Sequence, residues 1–142
     1  LPKRQKDGDA GYDIRYNGPH KLVSPGQTVL LPTGIKLEIP KGYEAQVRGR
    51  SGLAFKHGLF AHVGTIDSNY RGDIGVILHN ASSKPYVVSN DERIGQLIFA
   101  KVETFKFNKV EEFESFLILK PKKVIILKPS KANLCDNSLG KR

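Results

Sequence analysis

Short apolar runs, each separated from the next by turn-forming residues, make up most of the first hundred residues of the chain. The turn-forming segments include Ser24-Pro25-Gly26, Pro32-Thr33-Gly34 and Pro40-Lys41-Gly42. Turns that recur about every 8–12 residues are typical of a β-sandwich or β-barrel. The pattern therefore predicts an all-β domain with strands at Lys21–Val23, Thr28–Leu31, Ile35–Ile39, Tyr43–Val47, Asp73–Asn80, Tyr86–Val88 and Gln96–Val102.

Helical periodicity is weak throughout the sequence. The best candidate for a helix is the short segment Arg50–His57, with Ser51 as its N-cap. Eight prolines spread along the chain argue against long helices. Gly34 and Gly42 follow turn-opening residues, where a positive φ is easiest for glycine, so we expect that conformation at both.

The last 26 residues differ from the rest of the chain in charge. Residues 117–142 contain seven basic residues and one acid, net +6 of the total +9, which leaves +3 for residues 1–116. We therefore expect a β domain over 1–116 and a basic, extended, partly disordered Lys/Pro-containing tail over 117–142. Two alternatives stay open: an arm that packs on a neighbouring subunit, and a nucleic-acid-binding arm. The latter is weaker because no aromatic residue lies between the lysines to stack on bases.

Length and composition exclude several classes of protein. The 142 residues suit one domain, and the single cysteine excludes an intramolecular disulfide framework. No apolar run approaches the roughly 20 residues of a membrane helix, and the basic start is not followed by an apolar stretch. The four histidines lack the short spacing of a metal site, and no P-loop pattern occurs. An intracellular, cytoplasmic protein without a membrane partner is expected.

One polar stretch suits phosphate binding. Residues 48–54, RGRSGLA, place two arginines, a hydroxyl and a glycine within five positions. Arginine offers a two-pronged donor for phosphate oxygens, and glycine allows the backbone to approach an anion. The alternative is a polar turn with surface arginines.

A second stretch, residues 64–73 with the sequence GTIDSNYRGD, combines a carboxylate with an aromatic ring three residues later. Asp67 could hold a water as a general base, and Tyr70 could form an apolar floor for a sugar. On spacing alone, a hairpin turn with Tyr70 as a core residue is favoured over that interpretation. Residues 91–98 and 10–14 carry weaker signals when each is taken alone.

The order of four motifs is more specific than any one of them. AGYDI at 10–14, RSGLA at 50–54, GTIDSNYRGD at 64–73 and RIGQL at 93–97 resemble the first four motifs of the trimeric dUTP pyrophosphatases, or dUTPases. The resemblance implies a distorted jelly-roll β-barrel of the β-clip type. It also implies a homotrimer with shared active sites, and hydrolysis of dUTP to dUMP and pyrophosphate, which removes dUTP and supplies dUMP. Mg²⁺ is implied as the cofactor, held by the triphosphate and water rather than directly by the protein.

The resemblance also implies roles for individual residues. Asp67 would orient the attacking water, and Tyr70 would pack under the deoxyribose. Gln96 would lie near the phosphates and their waters. The remaining site residues would be Arg50, Ser51 and Gly52 for the phosphates, Gly64, Thr65, Ile66 and Gly75 for uracil, and Asp13 and Arg93 in support.

The end of the sequence departs from the family pattern. The glycine-rich closing motif, with its Phe and Arg, is not matched, and the Lys/Pro tail stands in its place. We therefore expect dUTP binding with slow turnover, or alternatively a dUTPase-like binding or regulatory module. A dCTP deaminase is disfavoured because residues 75–79 contain no acid. A nucleic-acid-binding β-barrel is a further but less favoured alternative, so we do not expect nucleic acid as a partner.

Overall fold

The computed structural model of the chain describes residues 1–110 and 123–127. This part of the chain is nearly all β, which confirms the predicted fold class. Contacts divide the chain into one unit over Leu1–Val102 and another over Glu103–Arg142. The predicted boundary between residues 116 and 117 falls outside the described residues. The elements are β1 Tyr12–Arg15, β2 Lys21–Val23, β3 Thr28–Ile35, β4 Tyr43–Arg48, α1 Ser51–His57, β5 Leu59–Ala61, β6 Gly64–Ile66, β7 Ile74–Asn80, β8 Tyr86–Val88, β9 Arg93–Lys101, β10 Lys106–Val110 and β11 Lys123–Leu127.

Three antiparallel sheets enclose the core of the first unit. Their strand orders are β1-β9-β4-β6, β3-β7-β5 and β2-β8. Strand β7 shows why these residues form a sheet: Ile74, Val76 and Leu78 are buried, and the residues between them face outward. Because successive side chains alternate between faces, each strand contributes one apolar face to a common core.

Two predictions about the strands are wrong in an informative way. Pro32-Thr33-Gly34 is not a turn but lies within β3, where the pairing with β7 shifts between Pro32 and Ile35. Thr33 is buried there, and its hydroxyl donates a hydrogen bond to the carbonyl of Ile74 at 2.6 Å. The predicted strand Ile35–Ile39 contributes only its first residue to β3, yet Ile39 is buried. Turn-forming residues here mark a β-bulge. Beyond the bulge, Ile39 reaches the core although it belongs to no strand.

Helix α1 confirms the predicted short helix but not its cap. Arg50 takes the N-cap position with an extended backbone, φ −108° and ψ 125°, and no side chain caps the helix. Ser51 is therefore the first helical residue rather than the cap. The helix ends at Gly58, whose φ of 65° is the left-handed conformation that glycine adopts at little cost. Buried Leu53 fixes the helix to the core.

The second unit contains a two-stranded parallel sheet. Strand β10 pairs with β11, and Lys106 lies opposite Lys123. The part of the predicted tail at Lys123–Leu127 is thus extended, but it has a hydrogen-bonded strand partner. The other predictions for the tail lie outside the described residues. Within the described residues no helix has the length and apolar character needed to cross a membrane.

Candidate active site

A cavity of about 460 Å³ lies on the outer face of the β1-β9-β4-β6 sheet. Three of the sequence motifs meet there. Asp13 comes from β1, Gln96 from β9, and Arg50, Ser51 and Gly52 from the start of α1. The structure therefore brings together the residues predicted to contact phosphates. We call this space the phosphate cavity.

Strand register builds the floor of the phosphate cavity. Asp13 lies opposite Gln96 on the neighbouring strand, and Gln96 lies opposite Arg48 on the strand after that. Residues that oppose one another share a face of a sheet, so these three side chains form a row across three strands. Gly11 leaves room for this row, because a Cβ at Gly11 would overlap Oε1 of Gln96. The amide of Gln96 donates to the carbonyl of Gly49 at 3.0 Å, which joins the row to the start of α1.

Asp13 holds two arginines at the edge of the phosphate cavity. Its Oδ1 lies 3.3 Å from Nε of Arg50 and its Oδ2 lies 3.1 Å from Nη1 of Arg93. Arg50 also donates to the backbone carbonyl of Arg93 at 3.2 Å. The Asp13 side chain is only 13% exposed, so both ion pairs are partly shielded from water. Asp13 thus fixes the direction in which Arg50 points before any anion arrives.

The turn before β9 positions Arg93. Glu92 accepts hydrogen bonds from the hydroxyl of Tyr86 at 2.6 Å and from the backbone N–H of Ser89 at 2.9 Å. Burial and the Glu92 carboxylate raise the pKa of Tyr86 to about 12. Asp91, in the same turn, has a φ of 62°, a conformation that Asp tolerates better than most residues. His57 at the end of α1 packs against the Tyr86 ring, with the ring centroids 4.9 Å apart.

A second cavity of about 270 Å³ contains the residues predicted for the water, the sugar and uracil. Strand β6 pairs with β4, whereas β7 pairs with β3 and β5, so the connection between β6 and β7 crosses from one sheet to another. The expected hairpin turn is therefore wrong. The cavity is lined in part by Gly64, Thr65, Ile66, Asp67, Tyr70 and Gly75. We call it the Asp67 cavity.

Tyr70 is held at the Asp67 cavity rather than in the core. Its side chain lies over Gly72, where a Cβ would overlap the Tyr70 hydroxyl, and that hydroxyl donates to the carbonyl of Asp73 at 3.0 Å. Its backbone N–H donates to the carbonyl of Asp67 at 3.0 Å. Tyr70 is 45% exposed, so the expectation that it fills the core is also wrong. The loop instead presents a carboxylate and an aromatic ring at one opening.

Of the residues that the structure describes, none lines both cavities. Asp67 and Tyr70 lie at one opening, and the phosphate candidates lie at the other. Val47 and Arg48 are adjacent on β4 yet line different cavities, as the alternation of a strand requires. One chain therefore offers two separate groups of residues rather than one complete pocket.

Arg48 lies in the polar stretch that the sequence suggested for phosphate binding, but the family resemblance assigns it no role. It lines the phosphate cavity, and its guanidinium donates to Oε1 of Gln46 from Nη2 at 2.7 Å and from Nε at 3.2 Å. The i, i+2 spacing of Gln46 and Arg48 in a strand was the available signal, because it places both on one face.

Metal ligands do not cluster in the described residues. No group of three or more His, Cys, Asp or Glu side chains there could hold a metal ion. The carboxylate nearest to the predicted phosphate contacts, Asp13, is already paired with two arginines. This part of the chain therefore offers a hard cation no ready-made carboxylate cage.

Known proteins resemble this chain over most of its length. A family model described as dUTPase matches residues 1–119. The deoxyuridine 5'-triphosphate nucleotidohydrolase of Fusobacterium nucleatum is 46% identical over 110 residues, which are 75% of each chain. The enzyme of the same name from Chlamydia trachomatis is 47% identical over 110 residues, 75% of this chain and 76% of the relative.

Solved structures show the same fold. The dUTPase from phage phi11 of S. aureus superposes with a TM-score of 0.75 at 26% identity, and the match covers 82% of this chain and 92% of that one. The dUTPase of Staphylococcus bacteriophage 80alpha with dUpNHpp gives a TM-score of 0.75 at 27% identity, over 81% and 83% of the two chains. These likenesses confirm the predicted dUTPase-like jelly-roll β-barrel. The chain belongs to the dUTPase family.

Proposed function

We propose that this protein is a dUTP diphosphatase, which hydrolyses dUTP to dUMP and pyrophosphate. The observation that carries the proposal is the presence of two built half-sites in one family member. One half-site has cations and a hydroxyl suited to a triphosphate, and the other has a carboxylate and a ring suited to a water and a sugar. Phosphoryl transfer needs mainly positioning and charge neutralisation from the protein, and these residues supply both.

The phosphate cavity would hold the triphosphate. Arg50, already aimed by Asp13, would donate to phosphate oxygens, with the Ser51 hydroxyl and the backbone at Gly52 beside it. Gln96 would contact a phosphate or its waters. The Asp13 carboxylate limits the local excess of positive charge, so Arg50 and Arg93 stay close together without a bound anion.

The Asp67 cavity would hold the nucleoside and the attacking water. Asp67 is exposed and lies in the lining, where it would accept a proton from the water that attacks the α-phosphorus. The Tyr70 ring would pack under the deoxyribose and leave no room for a 2′-hydroxyl. Backbone groups of Gly64, Thr65 and Ile66 with Gly75 would recognise the edge of uracil.

We propose Mg²⁺ as the cofactor. Among solved relatives, an S. aureus phage phi11 dUTPase mutant is described with a structural Mg(II) ion. Because the described residues hold no carboxylate cluster, the ion would be bound by the triphosphate and water. Bound there, Mg²⁺ would neutralise charge on the phosphates, while Arg50, Ser51 and Gln96 fix their position.

We propose a homotrimer with shared active sites as the working form. The division of site residues between two cavities supports it, since one chain alone leaves Asp67 outside the phosphate cavity. The outer face of the β3-β7-β5 sheet supports it too. That face exposes Leu30 opposite Ile77, with Phe60 on the next strand. It runs into the Asp67 cavity at Gly75, so a second copy seated there would reach that cavity.

Pyrophosphate release from dUTP, dCTP, dTTP and UTP, with and without Mg²⁺, tests the reaction. We expect selective turnover of dUTP that depends on Mg²⁺. Asp67→Asn should abolish hydrolysis and spare dUTP binding, whereas Asp7→Asn, at an exposed carboxylate outside both cavities, should change neither. Binding of dUTP without turnover by the unaltered chain would refute the enzyme proposal and favour a binding module. Ammonia release from dCTP would point to a deaminase.

Mixing two inactive variants tests whether sites are shared. Asp67→Asn and Arg50→Gln each damage a different cavity, so sites assembled from one chain of each kind can be intact. After unfolding and joint refolding at equal amounts, random assortment should restore roughly a quarter of the unaltered activity. Refolding each variant alone is the control. No recovery in a mixture that forms trimers would mean that each site lies within one chain.

A further inference from the structure

We propose that Arg48 is an additional phosphate-binding residue of the phosphate cavity, and that Gln46 is its positioning residue. The inference rests on the proposed function, because it concerns the same triphosphate. It adds a cation to the site from β4, a strand that none of the residues given a role by the family resemblance occupies. Three observations carry it: position, charge and orientation.

Position places Arg48 beside the predicted phosphate contacts. It is directly opposite Gln96 and lines the same cavity as Arg50 and Ser51. Asp13, Gln96 and Arg48 form the row across three strands, so Arg48 occupies the end of that row away from Asp13. An anion that contacts Gln96 would thus have Arg50 near one side and Arg48 on the other.

The charge environment of Arg48 differs from that of Arg50, which lines the same cavity, and from that of Arg93 at the edge. Arg50 and Arg93 share the carboxylate of Asp13, which offsets part of their charge. The partner of Arg48 is the neutral amide of Gln46. Within the described part of the chain no carboxylate lies at ion-pair distance from Arg48. Because no such carboxylate offsets it, the positive charge of Arg48 is available to neutralise a phosphate in the cavity.

Orientation of Arg48 is fixed by a short chain of hydrogen bonds along β4. Nε2 of Gln46 donates to Oε1 of Glu44 at 2.6 Å, which turns Oε1 of Gln46 toward the guanidinium. Arg48 uses Nε and one hydrogen of Nη2 for that oxygen. Nη1 and the second hydrogen of Nη2 remain to donate to phosphate oxygens. Glu44 thus orients Gln46, which in turn holds Arg48.

Kinetics of charge-matched variants test the role of Arg48. Arg48→Gln should raise the KM for dUTP about tenfold with little change in kcat, because one charge-assisted bond to the bound substrate is lost. Arg48→Lys keeps the charge but not the two-pronged donor of the guanidinium, so its KM for dUTP should lie between those of the unaltered chain and Arg48→Gln. Arg15→Gln is the control: it removes the same charge from a residue that lines neither cavity.

Two further readouts separate phosphate binding from a structural role. The KM of Arg48→Gln should depend less steeply on salt than that of the unaltered chain. Gln46→Ala should raise KM by itself and add nothing in the Arg48→Gln background, since it acts through Arg48. Equal KM values and equal salt dependence in Arg48→Gln and the unaltered chain would overturn the inference.

Calorimetric titration with pyrophosphate keeps the inference testable apart from turnover. Weaker pyrophosphate binding in Arg48→Gln than in Arg15→Gln supports the role of Arg48 even if no dUTP hydrolysis is found. Active enzyme with unchanged pyrophosphate binding in Arg48→Gln would overturn this inference and leave the proposed function standing. A thermal melt of each variant identifies any that fails to fold, and the folded Arg48→Lys then carries the comparison.

Discussion

Asp13→Asn should destabilise the protein far more than the same change at another paired aspartate. Asp13 forms ion pairs with Arg50 and Arg93 at N–O distances of 3.3 and 3.1 Å, and its side chain is 13% exposed. Asp91 forms one ion pair, with Arg15, also at 3.1 Å, but its side chain is 76% exposed. The substitution is nearly isosteric at both positions. The comparison therefore contrasts a mostly buried carboxylate that has two arginine partners with an exposed carboxylate that has one.

The expected magnitudes follow from that difference. Asparagine at position 13 loses the charge and keeps one oxygen acceptor, so at least one charge-assisted bond is lost, worth about 2 kcal/mol. Two arginines that were held together would then repel each other, which adds to the cost. An exposed pair such as Asp91 with Arg15 contributes about 0.5 kcal/mol or less. We expect Asp13→Asn to lower the free energy of unfolding by about 2–3 kcal/mol.

Urea unfolding of the unaltered chain, Asp13→Asn and Asp91→Asn at one protein concentration measures the difference in the free energy of unfolding. The concentration is held fixed because assembly contributes to apparent stability. Asp13→Asn should also raise the KM for dUTP, since Arg50 loses its direction. Equal losses of unfolding free energy in Asp13→Asn and Asp91→Asn would refute the argument that partial burial makes the Asp13 pairs strong.

Three further predictions concern stability. Burial and the Glu92 carboxylate raise the pKa of Tyr86 from 10.0 to about 12, so the folded protein holds this proton more tightly than the unfolded chain does. The stabilisation from Tyr86 is therefore complete below its ordinary pKa and is lost as pH rises toward about 12. Tyr86→Phe should therefore lose less stability than the unaltered chain between about pH 9 and about pH 11 in urea titrations, and equal slopes would contradict this. Fully buried Asn80 donates to two backbone carbonyls and accepts from Ser82, so Asn80→Ala should cost about 3 kcal/mol in chemical unfolding and Ser82→Ala about 1 kcal/mol. Gly58→Ala forces a residue with a Cβ to keep a φ of 65° and should lower the melting temperature by an amount equivalent to about 1 kcal/mol; no change would show that the end of α1 rearranges cheaply.

The sequence predicted elements with strong local signals and missed those that depend on neighbours. Lys21–Val23 and Tyr86–Val88 were predicted to the residue. The strands Leu59–Ala61 and Gly64–Ile66 were not predicted. They are as short as Lys21–Val23, and they form because β7 and β4 are available to pair with them. A proline and a glycine inside β3 read locally as a turn, although pairing with β7 keeps the chain extended on both sides of the bulge.

The candidate site divides in the same way, into features with a local sequence signal and features that depend on neighbouring strands. Ordered motifs identified Asp67, Tyr70 and Arg50 because each motif is local. Which of them share a cavity depends on strand register and on the crossing of the β6–β7 connection between sheets, which no local pattern contains. Arg48 lies in the stretch at 48–54 that was considered for phosphate binding, but its place in the cavity depends on lying opposite Gln96, 48 positions along the chain.

The division of the site into two cavities links chemistry to assembly by mass action. If Asp67 of one copy completes the phosphate cavity of another, the number of working sites depends on how many chains are associated. Activity per chain would then fall when the protein is diluted below the dissociation constant of the assembly. By thermodynamic linkage, a nucleotide that bridges two copies would hold them together by the same free energy that their association adds to its binding. Substrate binding would stabilise the assembly, and the concentration of substrate in the cell would help to set the amount of assembled enzyme.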